Sequence, residues 1–284
     1  MARTWYSLLP AIAVTTWASN IVAGRYLVGK GFIDGVTLSL ARFLIATPAL
    51  ALLLAPRGLR PPGRDIHLVA AAGLLGVTIF NTALYSSLAY ISAAAASFIA
   101  SLATPATYAI AVAIGRDKPS PRLASGILLS ILGVYILLRG GIKVWGATGV
   151  ILALSAALAW SLYTVIVDSL KSRYTPEETL LWSMAAGTIG LAPLGYQGLH
   201  NAVESTATLA IILYVAIVPG LLGYLLWNIG VKNLGPSLPS IFIPLIPLLT
   251  TLMETILLKT RPTQETIIGG ALIITGIIII ITRR

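Results

Sequence analysis

Gly126-Ile-Leu-Leu-Ser-Ile-Leu-Gly133 and Gly269-Gly-Ala-Leu-Ile-Ile-Thr-Gly276 share a seven-residue glycine spacing and stand 143 positions apart, about half the length of this 284-residue chain. Trp17 and Trp160 keep the same offset, and Pro105 and Pro247 stand 142 apart. A chain that resembles itself at half its length is built from two copies of one unit. The units expected here are residues 1–142 and 143–284, each with room for five hydrophobic spans. Five is odd, so the second unit must cross a bilayer in the opposite sense to the first. Inverted repeats of this kind are a structural signature of secondary transporters, because two halves related across the membrane midplane can exchange roles.

The composition calls for a bilayer. Hydrophobic residues make up 57% of the chain and charged residues 10%, against about 25% charged in an ordinary soluble domain. A mean hydropathy of +0.92 leaves too little polar surface for a water-soluble shell. The net charge of +10 comes from Lys and Arg placed singly or in small groups at the ends of apolar runs. There they act as topology signals rather than as a nucleic-acid surface. Cysteine is absent, which excludes disulfides, thiolate metal sites and cysteine nucleophiles. The first apolar run continues through Trp17 to about Val28, giving no signal-peptide cleavage pattern.

A hydrocarbon core about 30 Å thick needs roughly 20 apolar residues per helix. Ten runs fit, at about 5–28, 35–54, 67–89, 93–114, 121–139, 146–168, 179–197, 207–230, 237–258 and 264–282. The fold class expected is therefore an all-α polytopic membrane protein of ten transmembrane helices in two inverted five-helix repeats. With the N-terminus inside, twelve Lys and Arg fall on the cytoplasmic side and six outside, and Arg42 lies within the second helix. That bias places both termini in the cytoplasm, and the membrane expected is the plasma membrane.

Polar and aromatic residues gather on particular helices. Trp17 and Asn20 are three apart on helix 1, and Trp160 and Tyr163 repeat that spacing on helix 6, so each pair shares a face. Helix 3 offers Thr78, Asn81 and Tyr85, and helix 8 offers Trp227 and Asn228. Helix 4 carries Ser97, Ser101, Thr104 and Tyr108, and helix 9 carries Ser240, Thr250 and Thr251. Helices 1, 3, 4, 6, 8 and 9 are thus expected to surround a cavity, with 2, 5, 7 and 10 peripheral. The candidate solute contacts are Trp17, Asn20, Thr78, Asn81, Tyr85, Ser101, Tyr108, Trp160, Tyr163, Trp227, Asn228 and Ser240. Ser and Thr at such positions serve interhelical packing equally well. Pro105 and Pro247 interrupt corresponding helices of the two halves, the strongest sequence pointer to a midplane site. With Glu254 they are the candidates for gating or coupling. Arg42 reads as structural, pairing with Glu254 or snorkelling to the interface.

The chain resembles the drug/metabolite transporter superfamily, specifically its ten-helix EamA type. The resemblance is carried by Trp17-Ala-Ser-Asn20, Leu40-Ala-Arg42-Phe43, Ser87-Leu-Ala-Tyr-Ile-Ser-Ala-Ala, Pro105 and the glycine-spaced helix 5. In the second half it is carried by Ala157-Leu-Ala-Trp-Ser-Leu-Tyr163, Pro247 and the segment 269–276. It covers nearly the whole chain. One departure is that Asp117 and Thr260 stand where the family often has glutamate after helices 4 and 9. The resemblance implies export or exchange of a small organic solute and leaves its identity open.

Other chemistries lack their parts. His67 and His200 are the two histidines, both near loops, which leaves neither a histidine-rich metal site nor a His-based triad. No phosphate loop, H-E-x-x-H or G-x-S-x-G string occurs. The expectation is a secondary transporter, not an enzyme and without cofactor or metal. It would move an amino acid or related amphiphile by alternating access, with the solute and the lipid bilayer as partners. A sugar-phosphate or lipid carrier is the alternative within the superfamily, and a membrane-embedded enzyme or scaffold is the alternative from another class. The lack of a carboxylate or histidine near mid-helix points to facilitated diffusion or exchange.

Overall fold

The computed structural model describes residues 2–58, 60–138, 146–257 and 263–281. These form ten helices and no strand. The helices are α1 (Ala2–Gly29), α2 (Gly35–Leu54), α3 (Gly63–Ser87), α4 (Ala93–Ala113) and α5 (Pro121–Leu138). The second half continues with α6 (Ala147–Leu170), α7 (Pro176–Gly195), α8 (Thr206–Leu234), α9 (Ser237–Ser240, then Leu245–Leu257) and α10 (Gln264–Ile281). Six of them, α1 to α4, α6 and α8, are each long and apolar enough to cross a membrane. The described parts of α5, α9 and α10 are shorter apolar helices.

The ends of these helices are set by local chemistry. Asp34 accepts from the backbone N–H groups of Val36 and Thr37, both at 2.9 Å, and so caps α2. Ser92 caps α4 through Ala95 N–H, and Thr175 with Glu178 forms a reciprocal capping box at α7. Each cap satisfies backbone donors that have no partner within the helix. At the other end of α8, Gly235 takes φ +80°, a turn that a side chain would resist.

Apolar side chains face outward as well as inward. Leu52, Leu128, Ile189 and Ile256 are mostly exposed, whereas Asn81, Ser101, Thr104, Ser161 and Asn228 are buried. With lipid outside, burial of oily side chains cannot hold the helices together, and small residues that let backbones meet take over. The two glycine strings do this work on each other. A Cβ built on Gly133 would stand 2.7 Å from the Gly269 carbonyl oxygen, and one on Gly126 would stand 2.8 Å from that of Gly276. Helices α5 and α10 therefore cross in backbone contact, the two ends of one string meeting the opposite ends of the other. Gly73 and Gly187 repeat the device between α3 and α7, and Thr47 and Thr188 share a 3.0 Å hydrogen bond between α2 and α7.

Four helices are irregular. In α3 the segment Leu74–Ile79 widens into a π turn, and in α8 the segment Ala216–Leu222 does the same. In α4 the helix breaks at Leu102, and in α9 it breaks between Ser240 and Leu245. Pro105 and Pro247 each occupy the third position of the segment that follows the break, Ala103–Ala113 and Leu245–Leu257. In a first helical turn the missing proline N–H costs nothing, so these prolines restart the helices rather than kink them.

Candidate functional site

Both π turns free a carbonyl. Phe80 N–H donates to Leu75, five residues back, rather than to Gly76, and Gly223 N–H donates to Val218 rather than to Pro219. The Gly76 and Pro219 carbonyls thereby lose an ordinary partner, and in a membrane they need another. Trp17 Nε1 donates to the Pro219 oxygen at 3.1 Å, and the Tyr224 hydroxyl donates to the Gly76 oxygen at 2.7 Å. Gly76 and Pro219 are again 143 positions apart.

Around these two anchors lies a cluster of rings. Trp17 and Trp160, near the middles of α1 and α6, meet edge to face with centroids 4.9 Å apart. Trp160 also lies 4.7 Å from Phe80, 5.1 Å from Tyr163 and 5.2 Å from Tyr224. Trp227 packs 5.1 Å from Trp17 and donates to the Thr164 hydroxyl. Such edge and tilted contacts suit the ring quadrupoles and hold the cluster rigid.

A cavity of about 30 Å³ lies against this cluster. Its walls are Trp17, Asn20 and Ile21 of α1, Arg42 of α2, Phe80 and Leu84 of α3, and Ala100 of α4 from the first half. The second half supplies Trp160 of α6, Tyr224 of α8, and Ile243 and Ile246 at the α9 break. That volume is well below the roughly 300 Å³ at which small-molecule sites begin. Helix α2 was expected to be peripheral and is not, because Arg42 reaches the cavity from it. Among the described residues, none from α5, α7 or α10 lines the walls.

Polar side chains behind the rings form one network. Arg42 Nη1 donates to Asn81 Oδ1 and to the Tyr85 hydroxyl, both at 2.9 Å. The Tyr85 hydroxyl in turn donates to Asn20 Oδ1 at 2.6 Å. Asn81 Nδ2 donates to the Tyr224 hydroxyl at 2.8 Å and to the Gly76 and Val77 carbonyls. In the second half Tyr163 donates to Asn228 Oδ1 at 2.9 Å. Arg42 is 1% exposed, and its guanidinium also lies 5.1 Å from the Phe43 ring and 5.8 Å from that of Tyr224.

Of the residues singled out in the sequence, Trp17, Asn20 and Trp160 line the cavity. Asn81, Tyr85, Tyr163, Trp227 and Asn228 stand in the layer of bonds and rings just described. The others lie elsewhere. Thr78 donates to the Gly187 carbonyl and ties α3 to α7. Ser101 bonds back to Phe98 in its own helix, and the Tyr108 hydroxyl accepts from Ser120 N–H in the loop before α5. The Ser240 carbonyl accepts from Ile243 N–H at 3.1 Å and from the Thr104 hydroxyl at 2.7 Å, which joins the breaks of α4 and α9. The Glu254 side chain lies outside the described residues. Sequence reasoning passed over Tyr224, Phe80 and the role of Arg42; adding 143 to Asn81 gives Tyr224.

Compared with known proteins, the sequence matches the EamA-like transporter family over residues 4–139 and again over 147–282. It is 27% identical to an uncharacterized transporter of Archaeoglobus fulgidus, with 95% of each chain aligned. It is also 27% identical to a probable terminal-alkyne amino-acid exporter of Streptantibioticus cattleyicolor, over 96% of this chain and 92% of that one. A solved crystal structure superposes with a TM-score of 0.81 at 20% identity, covering 98% of this chain and 96% of the other. That likeness concerns the fold.

Proposed function

The chain belongs to the EamA-like transporter family, and on that footing we propose that it exports or exchanges a small organic metabolite by alternating access, without changing it chemically. The observation that carries the proposal is the aromatic cavity lined by Trp17 and Trp160, residues at matching positions of the two halves. An amino acid or related amphiphile suits walls that combine ring faces with a few polar atoms, and one relative is named as a probable amino-acid exporter. The membrane proposed is the plasma membrane, with both termini cytoplasmic, on the Lys and Arg count.

The mechanism proposed rests on two inverted five-helix units, residues 1–142 and 143–284. Supporting this division are the paired π turns, the paired breaks of α4 and α9, and the mutual fit of α5 and α10. With the cavity at about 30 Å³, a metabolite enters only if the walls part. The halves then rock about the aromatic cluster, and because the same irregularities occur in each, opening to one side has a counterpart opening to the other. Flux follows the solute's own gradient or that of an exchanged solute.

Reconstitution tests the reading. Proteoliposomes loaded with a metabolite panel rich in amino acids should release some members intact, faster than protein-free vesicles. Release of a chemically altered product would identify an enzyme, and no accelerated release of any member would refute transport of this class.

A further inference from the structure

Among the described residues, no opposite charge answers that of Arg42. A guanidinium has five N–H donors and stays protonated in proteins, so it cannot shed its charge on burial as lysine or histidine can. Only Nη1 has hydrogen-bond partners, and both are neutral, Asn81 and Tyr85. The buried Nε and Nη2 atoms have none. Among the described residues, the ion pairs join Arg116 and Lys171 to Asp168 and Arg173 to Asp65, and no carboxylate reaches Arg42. The unpartnered edge lies close to the backbone of α8: a Cβ on Gly220 would stand 3.0 Å from Arg42 Nε and 3.6 Å from Nη2, so any residue but glycine would crowd the two donors. Trp160, across the same cavity, adds a further buried donor without a partner, its indole Nε1.

The groups left wanting at this cavity, Arg42 Nε and Nη2 and Trp160 Nε1, are thus all donors, and two of them form one edge of a cation. We infer that the Nε–Nη2 edge of Arg42 is the anion-binding point of the cavity and that the solute carries a carboxylate. The two carboxylate oxygens match the spacing of the two N–H groups, a bidentate geometry that a single ammonium cannot offer. The bound anion neutralises a charge that is costly within a membrane, and the aromatic walls receive the rest of the solute. This rests on the reading of the cavity as the solute site and adds to it the charge the solute must bear.

The full-length protein in detergent, titrated with paired probes, tests the inference through quenching of tryptophan emission, since Trp17 and Trp160 line the cavity. The probes are L-leucine and L-phenylalanine, their deamino acids 4-methylpentanoate and 3-phenylpropanoate, and the corresponding carboxamides. Carboxylates should bind at least about tenfold more tightly than their amides. Arg42→Gln should bring carboxylates down to the level of amides, and Arg42→Lys should keep part of the preference. Equal binding of acid and amide by the wild-type protein, a preference that survives in Arg42→Gln, or no binding by any carboxylate would each overturn the inference. The wild-type comparison stands even if a variant fails to fold. Flux of the same probes from proteoliposomes separates the two readings. Transport without preference for carboxylates sinks the anion point and leaves the transporter; carboxylate binding without flux does the reverse.

Discussion

Asn81 donates through Nδ2 to the hydroxyl of Tyr224 at 2.8 Å, and the two residues stand 143 positions apart, the repeat offset of the sequence. Corresponding residues of two copies can touch only where the copies meet, so this bond marks the contact between the halves. A second pair of bonds repeats about it. Tyr85 donates to Asn20 and Tyr163 donates to Asn228; adding 143 to Asn20 and Tyr85 gives Tyr163 and Asn228, the same bond with the two residue types exchanged.

Removing the Tyr224 hydroxyl takes one bond each from the Gly76 carbonyl and Asn81, which keep their bond to each other. Tyr224→Phe should destabilise the protein by about 0.5 to 1.5 kcal/mol, seen as a lower thermal midpoint in detergent. A double-mutant cycle with Asn81→Ala should show non-additivity, because one bond is lost in either single variant. Additive effects would place the two residues in separate environments.

Trp17 and Trp160 differ in what the indole nitrogen does: that of Trp17 holds the Pro219 carbonyl, and that of Trp160 has no partner. Either change to Ala removes a large contact surface and should cut transport by about tenfold or more, with the amount of inserted protein near normal. Phe at Trp160 should keep the fold intact, whereas Phe at Trp17 should also lower stability. Wild-type transport by both Ala variants would dismiss the cavity from the solute path.

The crossing of α5 and α10 leaves no room at its glycines. Gly133→Leu must push against the backbone of Gly269 and Ile273, and overpacking of this kind costs about 1 to 3 kcal/mol or more. Gly133→Leu should therefore lower the thermal midpoint further than Gly133→Ala. Because neither helix lines the cavity, solute affinity in protein that remains folded should be unchanged.

Topology is open to direct test because the chain has no cysteine to confuse labelling. Gly58 is exposed, and Gln197 is exposed beyond α7. Single cysteines there should react with a membrane-impermeant reagent from the inside and the outside respectively, as the Lys and Arg distribution requires. Labelling of Gly58→Cys in intact cells would reverse the orientation and the direction assigned to export.

The helices were legible because hydropathy is a property of the sequence itself, and the ten runs agree with them to within a few residues. The glycine strings were legible as a repeat, but that each end of one would meet the opposite end of the other, Gly133 at Gly269 and Gly126 at Gly276, was not. The π turn at Leu74–Ile79 was not legible, since a change from one acceptor to the next back along the helix leaves no mark in composition; that at Ala216–Leu222 was marked by Pro219-Gly220 and Gly223 as an interruption of helix 8, though not as a π turn. Arg42 was visible as a charge, but whether its edge is paired depends on where α3 and α8 bring their side chains. The interruptions of α4 and α9 were placed correctly at the matched prolines, yet each proline begins the new segment instead of bending an old one.

The energy source follows from what can carry a proton through the bilayer. Proton-coupled carriers expose a titrating carboxylate or histidine to each side in turn. Among the described residues, no Asp, Glu or His lines the cavity. A carboxylate solute held by Arg42 would therefore cross with its charge balanced by the protein and return the site empty or loaded with another anion. Exchange is the expected mode: labelled solute inside proteoliposomes should leave faster when unlabelled solute is present outside, and a pH gradient alone should drive no accumulation. Glu254, at a position within α9, is the carboxylate to control for. Accumulation driven by a pH gradient and abolished by Glu254→Gln would show proton coupling through that residue and reject exchange.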